Sequence, residues 1–374
     1  MSVTIESMDF PPDYRLVEIE KSPLEGPYEW AYRGAARVVN TSDLADLGHS
    51  DMDSSPEQFA AQWVSTQGIK RMAVIVHGTV DAEEAVVGYA GLSMRRDEGS
   101  TQGWSSITVL PEHRRLGLGS AMLAWVEDAM RQENRTVLNS YIMFSEQVAE
   151  ATPEDQRLVP TSGIGWVPAN DPSIVWAIKH GFTVGQQERP SILALPVPAD
   201  KLERLFQQAR DKSGDYRTHV WFDTIPEPWM EQYAQLKARM STDVPQGGLE
   251  VEETKPSVEK LVDQIQATLA MGRHCLVTVA EHIATGELAA INELSYEPDK
   301  KQVFQEDTIV DPPHRGHRLG MLVKATNIVE LQERHPTAER IWTWNAEEND
   351  HMLAINIDLG FQPSGGEASI QKHL

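Results

Sequence analysis

The sequence predicts an α/β (α+β) chain made of two tandem copies of one folding unit, and three observations predict it. Its 374 residues exceed what one hydrophobic core usually organises, so two domains of roughly 150–200 residues are expected. A strand–turn–helix pattern at Arg114–Gly119 recurs at Arg315–Gly320. A helix ending in Gly-Phe follows each, at Gly181-Phe182 and at Gly360-Phe361.

The first pattern is Ile107-Thr-Val109-Leu-Pro-Glu-His-Arg114-Arg-Leu-Gly117-Leu-Gly119, followed from Ser120 to Met130 by apolar residues at helical spacing. The second, Thr308-Ile-Val310-Asp-Pro-Pro-His-Arg315-Gly-His-Arg-Leu-Gly320, runs into Met321–Leu331 in the same way. Pro, His, Arg, Leu and the final Gly align without a gap. A β-rich run then follows each helix, Thr136–Phe144 or Arg340–Trp344. In both copies an Asn, 170 or 349, lies 11 positions before the Gly of Gly-Phe, which suits a helix from an Asn cap to a glycine C-cap.

From the last loop glycine to Gly-Phe is 62 residues in the first copy and 40 in the second, an insertion of 22. It falls around Ser145–Pro168, where Pro153, Pro160, Gly163 and Gly165 predict a loop rather than a helix. Upstream of each loop, Met72–Val76 with Ala85–Leu92, and Leu276–Ala280 with Glu287–Leu294, read as antiparallel strands leading into the loop strand. Helical patterns lie at Pro56–Gln67, Trp229–Met240 and Ser257–Met271. A strand at Ser191–Pro196 closes the first domain in this reading. The domains are therefore 1–197 and 214–374, joined by a charged helical linker at 198–213, and the second opens with a strand at Thr218–Phe222.

Composition narrows the function. Fifty-six acidic residues against 33 basic give a formal charge of −23, which opposes nucleic-acid binding and favours a cationic small molecule. No apolar run of about 20 residues and no basic-then-apolar leader at Met1–Phe10 are present, so a cytoplasmic protein without membrane contact is expected. The single cysteine, Cys275, excludes an internal disulfide and a cysteine-based metal site, and its apolar surroundings predict a buried strand residue. No metal is expected.

A strand entering a glycine-containing turn and then a helix aims free backbone N–H groups and the positive helix end at one spot, where an anion can sit. Arg114 and Arg115 add charges suited to two adjacent phosphates. A Walker loop is excluded because no Gly-Lys-Ser/Thr follows, and a dinucleotide fingerprint lacks its third glycine at Met122.

Arg114-x-x-Gly117-x-Gly119 after a strand resembles the signature of the GNAT superfamily of N-acetyltransferases, written Gln/Arg-x-x-Gly-x-Gly/Ala. Both Gly-Phe helices resemble the family's Asn-x-x-Ala-x-x-Leu-Tyr-x-x-x-Gly-Phe segment. The second copy, with His314–Gly320 and Thr343-Trp-Asn345-Ala-Glu-Glu-Asn349, is similar to the tandem acetyltransferases of actinobacteria, the group that includes mycothiol synthase. The resemblance implies two tandem GNAT folds. Each is a mixed, mostly antiparallel sheet flanked by helices, with splayed parallel central strands that admit the pantetheine of acetyl-CoA.

On that basis the pyrophosphate cradle of the first copy is Arg114, Arg115, Leu116, Gly117, Leu118, Gly119 and Ser120. In the second it is Arg315, Gly316, His317, Arg318, Leu319, Gly320 and Met321, with Arg318 standing where the first has Gly117. Amides at Val109 or Val310 would face the thioester carbonyl, and Asn349 could hold pantetheine. The family's tyrosine on the Gly-Phe helix is replaced by Ala177 and Asn356; Asn356 is the candidate left there.

Amine attack on the thioester requires a base, because an alkylammonium of pKa about 10 is only ~0.1% neutral at pH 7. Asp307 and Glu306, on the second loop strand, are the candidate bases, with Glu293 third. Strand alternation predicts opposite faces for Glu306 and Asp307, so that one of them meets the cleft. The first loop strand, Trp104–Val109, carries no carboxylate. Trp342 and Trp344 share a face, as core or as a substrate wall.

The reaction implied is acetyl transfer from acetyl-CoA to a primary amine of a small, cationic metabolite or antibiotic-like compound, by a monomer or homodimer. Mycothiol-synthase-like acetylation of a cysteinyl amine is the narrower alternative. A non-catalytic acyl-CoA sensor or scaffold is the alternative of another class, motivated by the missing tyrosines and by Arg318.

Overall fold

The computed structural model describes residues 11–64, 68–97 and 99–374. The expectation for Met1–Phe10, and the end of the Pro56–Gln67 helix, lie outside them. The chain divides into two compact units, Met1–Gln187 with Glu367–Leu374, and Glu188–Gly366.

The first unit runs β1 (Tyr14–Ile19), α1 (Glu29–Leu47), α2 (Pro56–Val64), β2 (Ile69–His77), β3 (Val86–Met94), β4 (Gln102–Val109), α3 (Leu118–Gln132) and β5 (Val137–Phe144). Then come α4 (Glu146–Ala151), β6 (Arg157–Leu158), β7 (Val167–Pro168), α5 (Pro172–Lys179) and the start of β8 (Thr183–Ala194). Strands β1 to β4 are joined by antiparallel pairing, and β5 joins β4 in parallel. The core interleaves Val74 and Ile75 from the sheet with Tyr32 and Ala35 of α1 and Met122 and Trp125 of α3.

Helix α1 is absent from the periodicity reading because Gly34 and the run Asn40-Thr-Ser-Asp43 interrupt its apolar stripe. Gly34 is required by packing. A Cβ there would lie 2.4 Å from Val86 Cγ2, so the helix can approach β3 this closely only without a side chain.

The insertion differs from the loop predicted. Ser145 accepts a hydrogen bond from Val148 N–H and so caps α4, after which Arg157↔Pro168 and Leu158↔Val167 pair as a small ribbon. The cap of α5 is also shifted by one residue. Asp171, not Asn170, accepts from Ser173 and Ile174 N–H, while Asn170 donates to Gln156; Pro172 occupies the first helical turn.

The second unit continues with the rest of β8, α6 (Ala199–Arg210), β9 (Tyr216–Phe222), α7 (Met230–Ala238), α8 (Met240–Asp243), α9 (Val258–Ala270), β10 (His274–His282), β11 (Glu287–Tyr296) and β12 (Gln302–Val310). It ends with α10 (Leu319–Arg334), β13 (Arg340–Ala346), α11 (Asp350–Leu359) and β14 (Gln362–Pro363). The last strand, β15 (Gly366–His373), lies almost wholly in the first unit, where Gln371 donates to Asn139.

The strand read as Ser191–Pro196 runs from Thr183 to Ala194, and its residues Glu188–Ala194 pair antiparallel with Ala346–Arg340 in the second unit. The stretch read as a linker is a packed helix. Leu202, Leu205 and Ala209 of α6 bury themselves with Leu322 and Leu331 of α10. Tyr233, Leu236 and Leu261 of α7 and α9 cover the other sheet face, against Val277, Val279 and Ile291. Among the described residues no helix is long and apolar enough to cross a membrane.

Candidate active site

The central parallel strands splay in both units. β4 and β5 pair only at Gln102↔Val137, Gly103↔Leu138 and Trp104↔Asn139; β12 and β13 pair only at Gln302↔Arg340, Val303↔Ile341 and Phe304↔Trp342. Beyond those residues each strand pair opens into a wedge, toward Val109 in one unit and Val310 in the other.

The loops at the ends of β4 and β12 have the same backbone. Left-handed conformations fall at Arg115 (φ 67°) and Gly117 (φ 86°) in the first, and at Gly316 (φ 88°) and Arg318 (φ 56°) in the second. Each loop thus has one glycine and one arginine at these two positions, in opposite order. Arg318, the departure from the glycine pattern, takes the conformation of Gly117, so the second loop keeps the cradle shape. It does so under strain: Arg318→Val should destabilise by about 1–2 kcal/mol in urea unfolding, whereas Arg318→Gly should be neutral or stabilise by about 0.5 kcal/mol.

Helices α3 and α10 begin directly after these turns, with no side-chain cap and no acidic residue in the first turn. Their opening N–H groups have no intrahelical acceptors and point into the turn. The side chains of Leu118, Leu319 and Met321 are core, so those residues offer a ligand their backbone alone. Leu116, Arg115, Arg318 and Gly316 are exposed, and His317 is half-buried beside the Lys212 carbonyl (3.3 Å). Ser120 Oγ is hydrogen-bonded to His180 Nε2 (2.8 Å) and accepts from Trp176 Nε1 (3.4 Å). Gly119 faces Trp176 and Gly320 faces Ile355, where a Cβ would come within 3.1 Å.

Arg114 and Arg315 are each engaged by a carboxylate and by the carbonyl that ends the preceding strand. Arg114 holds Asp46 with both terminal nitrogens (2.8 and 2.7 Å) and donates from Nε to the Val109 carbonyl (3.0 Å). Arg315 donates from one terminal nitrogen to Asp243 (2.8 Å) and from Nε to the Val310 carbonyl (3.2 Å). A second repeated bond was not legible in the sequence: Tyr14 Oη with His113 Nδ1, and Tyr216 Oη with His314 Nδ1, both at 2.9 Å. These contacts fix the turn from behind, which leaves its backbone as the anion-facing part.

On the acceptor side the two units diverge. In the second, the β11–β12 register slips so that Glu306 and Asp307 together oppose Glu293. This bulge cancels the alternation expected for adjacent residues, and both carboxylates line one cavity. The cavity, about 250 Å³, lies beneath α7 and α9; Ile225, Leu261, Ile265 and Val277 form its apolar wall. Cys275 borders it rather than being fully buried, and burial, then Glu293 and Glu306, push its thiol up to about 12.

Lys237 organises the carboxylates. Its Nζ donates to Glu293 (2.8 and 2.7 Å) and Asp307 (2.7 Å), and Tyr233 donates to the same Glu293. Burial pulls the Lys237 amine down, and the two carboxylates more than reverse this, holding it above its ordinary value. Glu306 stands apart from this ion cluster and accepts from Ser295 Oγ (2.5 Å). Surrounding protein raises its carboxyl above the ordinary value, the Ser295 hydrogen bond opposes this, and Glu293 and Asp307 add to the rise against the Lys237 charge.

In the first unit the same ground is filled. Gly91, opposite Ser106 in an unbroken register, corresponds to Glu293. A Cβ on it would lie 2.2 Å from Tyr89 Oη and 2.7 Å from Trp63, both buried. A carboxylate missed by the sequence reading, Asp43 of α1, is pushed up to about 6 by burial, then Asp46 and Asp53, with Arg114 opposing. Its neighbour Ser42 donates to the Val109 carbonyl (3.3 Å).

Asn349 caps α11 by accepting from Met352 N–H (3.3 Å), and Asn356 lies between Lys324 and Asn345. Trp342 is core, whereas Trp344 is half-buried and stacks at 6.2 Å on Phe304. Among the described residues no group of three or more His, Cys, Asp or Glu could hold a metal ion.

Residues 43–147 match the model of the acetyltransferase (GNAT) family. No curated protein is a significant match. Among solved structures the chain is similar to a tandem GNAT protein from the clavulanic acid biosynthesis pathway, with TM-score 0.71 and 19% identity over 96% of this chain and 98% of that one. It is also similar to a GCN5-related N-acetyltransferase from Sphaerobacter thermophilus, with TM-score 0.60 and 14% identity over 97% and 96%. At such identities the likeness is one of fold. Residues 43–147 thus carry a GNAT acetyltransferase domain, and the chain as a whole has the fold of tandem GNAT proteins.

Proposed function

We propose that the second unit transfers an acetyl group from acetyl-CoA to a primary amine of a small cationic metabolite or antibiotic-like compound. The observation that carries this reading is the β12 bulge, which sets Glu306 and Asp307 on the wall of a cavity beside the splayed strands. Acetyl-CoA supplies an activated carbonyl and a thiolate leaving group.

The chain's own residues divide the remaining work. Turn amides of Gly316–Met321 and the start of α10 hold the pyrophosphate, and amides at the end of β12 near Val310 donate to the carbonyl oxygen. Glu306 takes the proton of the attacking ammonium, because it faces the cavity without an ion-pair partner, whereas Lys237 engages Asp307 and Glu293. Three carboxylates against Lys237 and Arg273 give the cavity a negative excess, which supports a cationic acceptor.

The reading is tested by amine-dependent release of free CoA from acetyl-CoA across a panel of di- and polyamines, aminoglycoside-like amines and amino acids. Cationic members should raise the rate at least tenfold over buffer, a modest part of the 10²–10⁴-fold typical of a positioned base. A rate no faster with any amine than without overturns it.

For the first unit the observations favour acyl-CoA binding without transfer. Its loop and wedge are shaped as in the second, while Trp63 and Tyr89 occupy the space that Glu293 has there.

A further inference from the structure

The repeats differ at two linked core positions. Where the first unit has Leu123 and Ala177, the second has Lys324 and Asn356. Lys324, on α10, is 0% exposed, and its Nζ donates to Asn356 Oδ1 (2.7 Å). Asn356 Nδ2 in turn donates to Asn345 Oδ1 (2.6 Å). The Phe361 ring lies 6.0 Å from Nζ. Burial is the one cause of the lowering of the amine to about 7, with no charged group contributing.

A buried lysine with an amide for its partner is a costly thing to keep in a core. Its twin position shows that the fold accepts leucine there. The array leads to one place: Asn345 lies on β13 beyond its last pair with β12, inside the wedge.

We propose that Lys324 is a positioning residue for the leaving sulfur of the acyl thioester. Through Asn356 and Asn345 it fixes the wall of the β12–β13 wedge, and in its ammonium form it sets a positive charge behind that wall. This rests on the reading of the second unit as the transferring one. As the amine nitrogen bonds to the carbonyl carbon, the C–S bond breaks with its electron pair going to sulfur. The ammonium proton passes to Glu306, and the thiolate leaves along the wall that Lys324, Asn356 and Asn345 hold, favoured by the ammonium form of Lys324. It is protonated by solvent after release.

The test uses the full chain with free CoA, whose thiolate, unlike its thiol, absorbs in the ultraviolet. A pH titration of bound CoA should show one population acidified about tenfold relative to an ordinary thiol of pKa about 8.5. The double variant Lys324→Leu with Asn356→Ala recreates the Leu/Ala pairing of the first unit and should abolish that population. Asn345→Ala, which leaves both buried groups in place, should shift it part of the way. The double variant should also lower kcat by roughly 10–100-fold with KM for acetyl-CoA within about threefold. Identical thiol titrations in wild type and double variant, at equal CoA occupancy, overturn the proposal. An acidified thiol without acetylation of any amine instead overturns the transferase reading and leaves the role of Lys324 standing.

Discussion

Glu306→Gln is expected to lower kcat/KM for amine acetylation by roughly 10²–10³-fold, the scale of a positioned general base. The substitution keeps the shape and the hydrogen-bonding reach toward Ser295 Oγ but cannot take a proton. Folding and CoA binding should be unaffected, because Glu306 meets solvent and lies outside the Lys237 ion cluster. Asp307→Asn makes a useful contrast: it weakens a contact of Lys237, so its effect should fall on stability with about a tenfold loss of rate.

The pH profile separates the two further. The Glu306 carboxyl titrates above the ordinary carboxylate value, and its ionised form is the active one. Wild-type activity should therefore rise with pH through that raised value, and the rising limb should vanish in Glu306→Gln. A kcat/KM within roughly threefold of wild type would remove Glu306 from the reaction.

Much of this architecture was legible because tandem copies check each other. The gapless alignment of Val109–Gly119 with Val310–Gly320 located both loop strands and both helix starts. The splay implied by the family resemblance is present in both units.

What escaped has identifiable causes. A one-residue bulge is invisible to a period-2 pattern, yet it reverses the facing expected of Glu306 and Asp307. Lys237 and Tyr233 come from α7, about 70 residues before Asp307, and no spacing rule links them to it. The glycine pattern could not show that the second loop keeps the turn shape at Arg318, because a consensus records residue types, whereas the turn requires a left-handed backbone that arginine can adopt at a cost. The pairing of Arg114 with Asp46 was not legible because Asp46 lies 68 residues away in α1, a helix hidden from periodicity.

Lys237→Met is expected to cost about 3 kcal/mol of unfolding free energy at neutral pH, the scale of breaking a buried ion pair by removing one partner. Lys237 Nζ lies 2.7 Å from both Glu293 and Asp307 and joins them in one ion cluster. Without the ammonium, two half-screened carboxylates confront each other across the bulge. The Lys237 amine is held above its ordinary value, so its contribution is full at neutral pH and is lost only as pH rises through that raised value. At the acidic end the difference between variant and wild type must shrink, because protonated carboxyls no longer repel and no longer attract lysine. Urea unfolding at neutral pH and again within the carboxylate range measures this directly. Activity should fall with stability, since loss of the ion cluster lets Asp307 compete with Glu306 for the substrate ammonium. Equal stability of Lys237→Met and wild type at neutral pH would show that the bulge is held by the strands alone, and that the cluster shapes the cavity's charge without supporting its backbone.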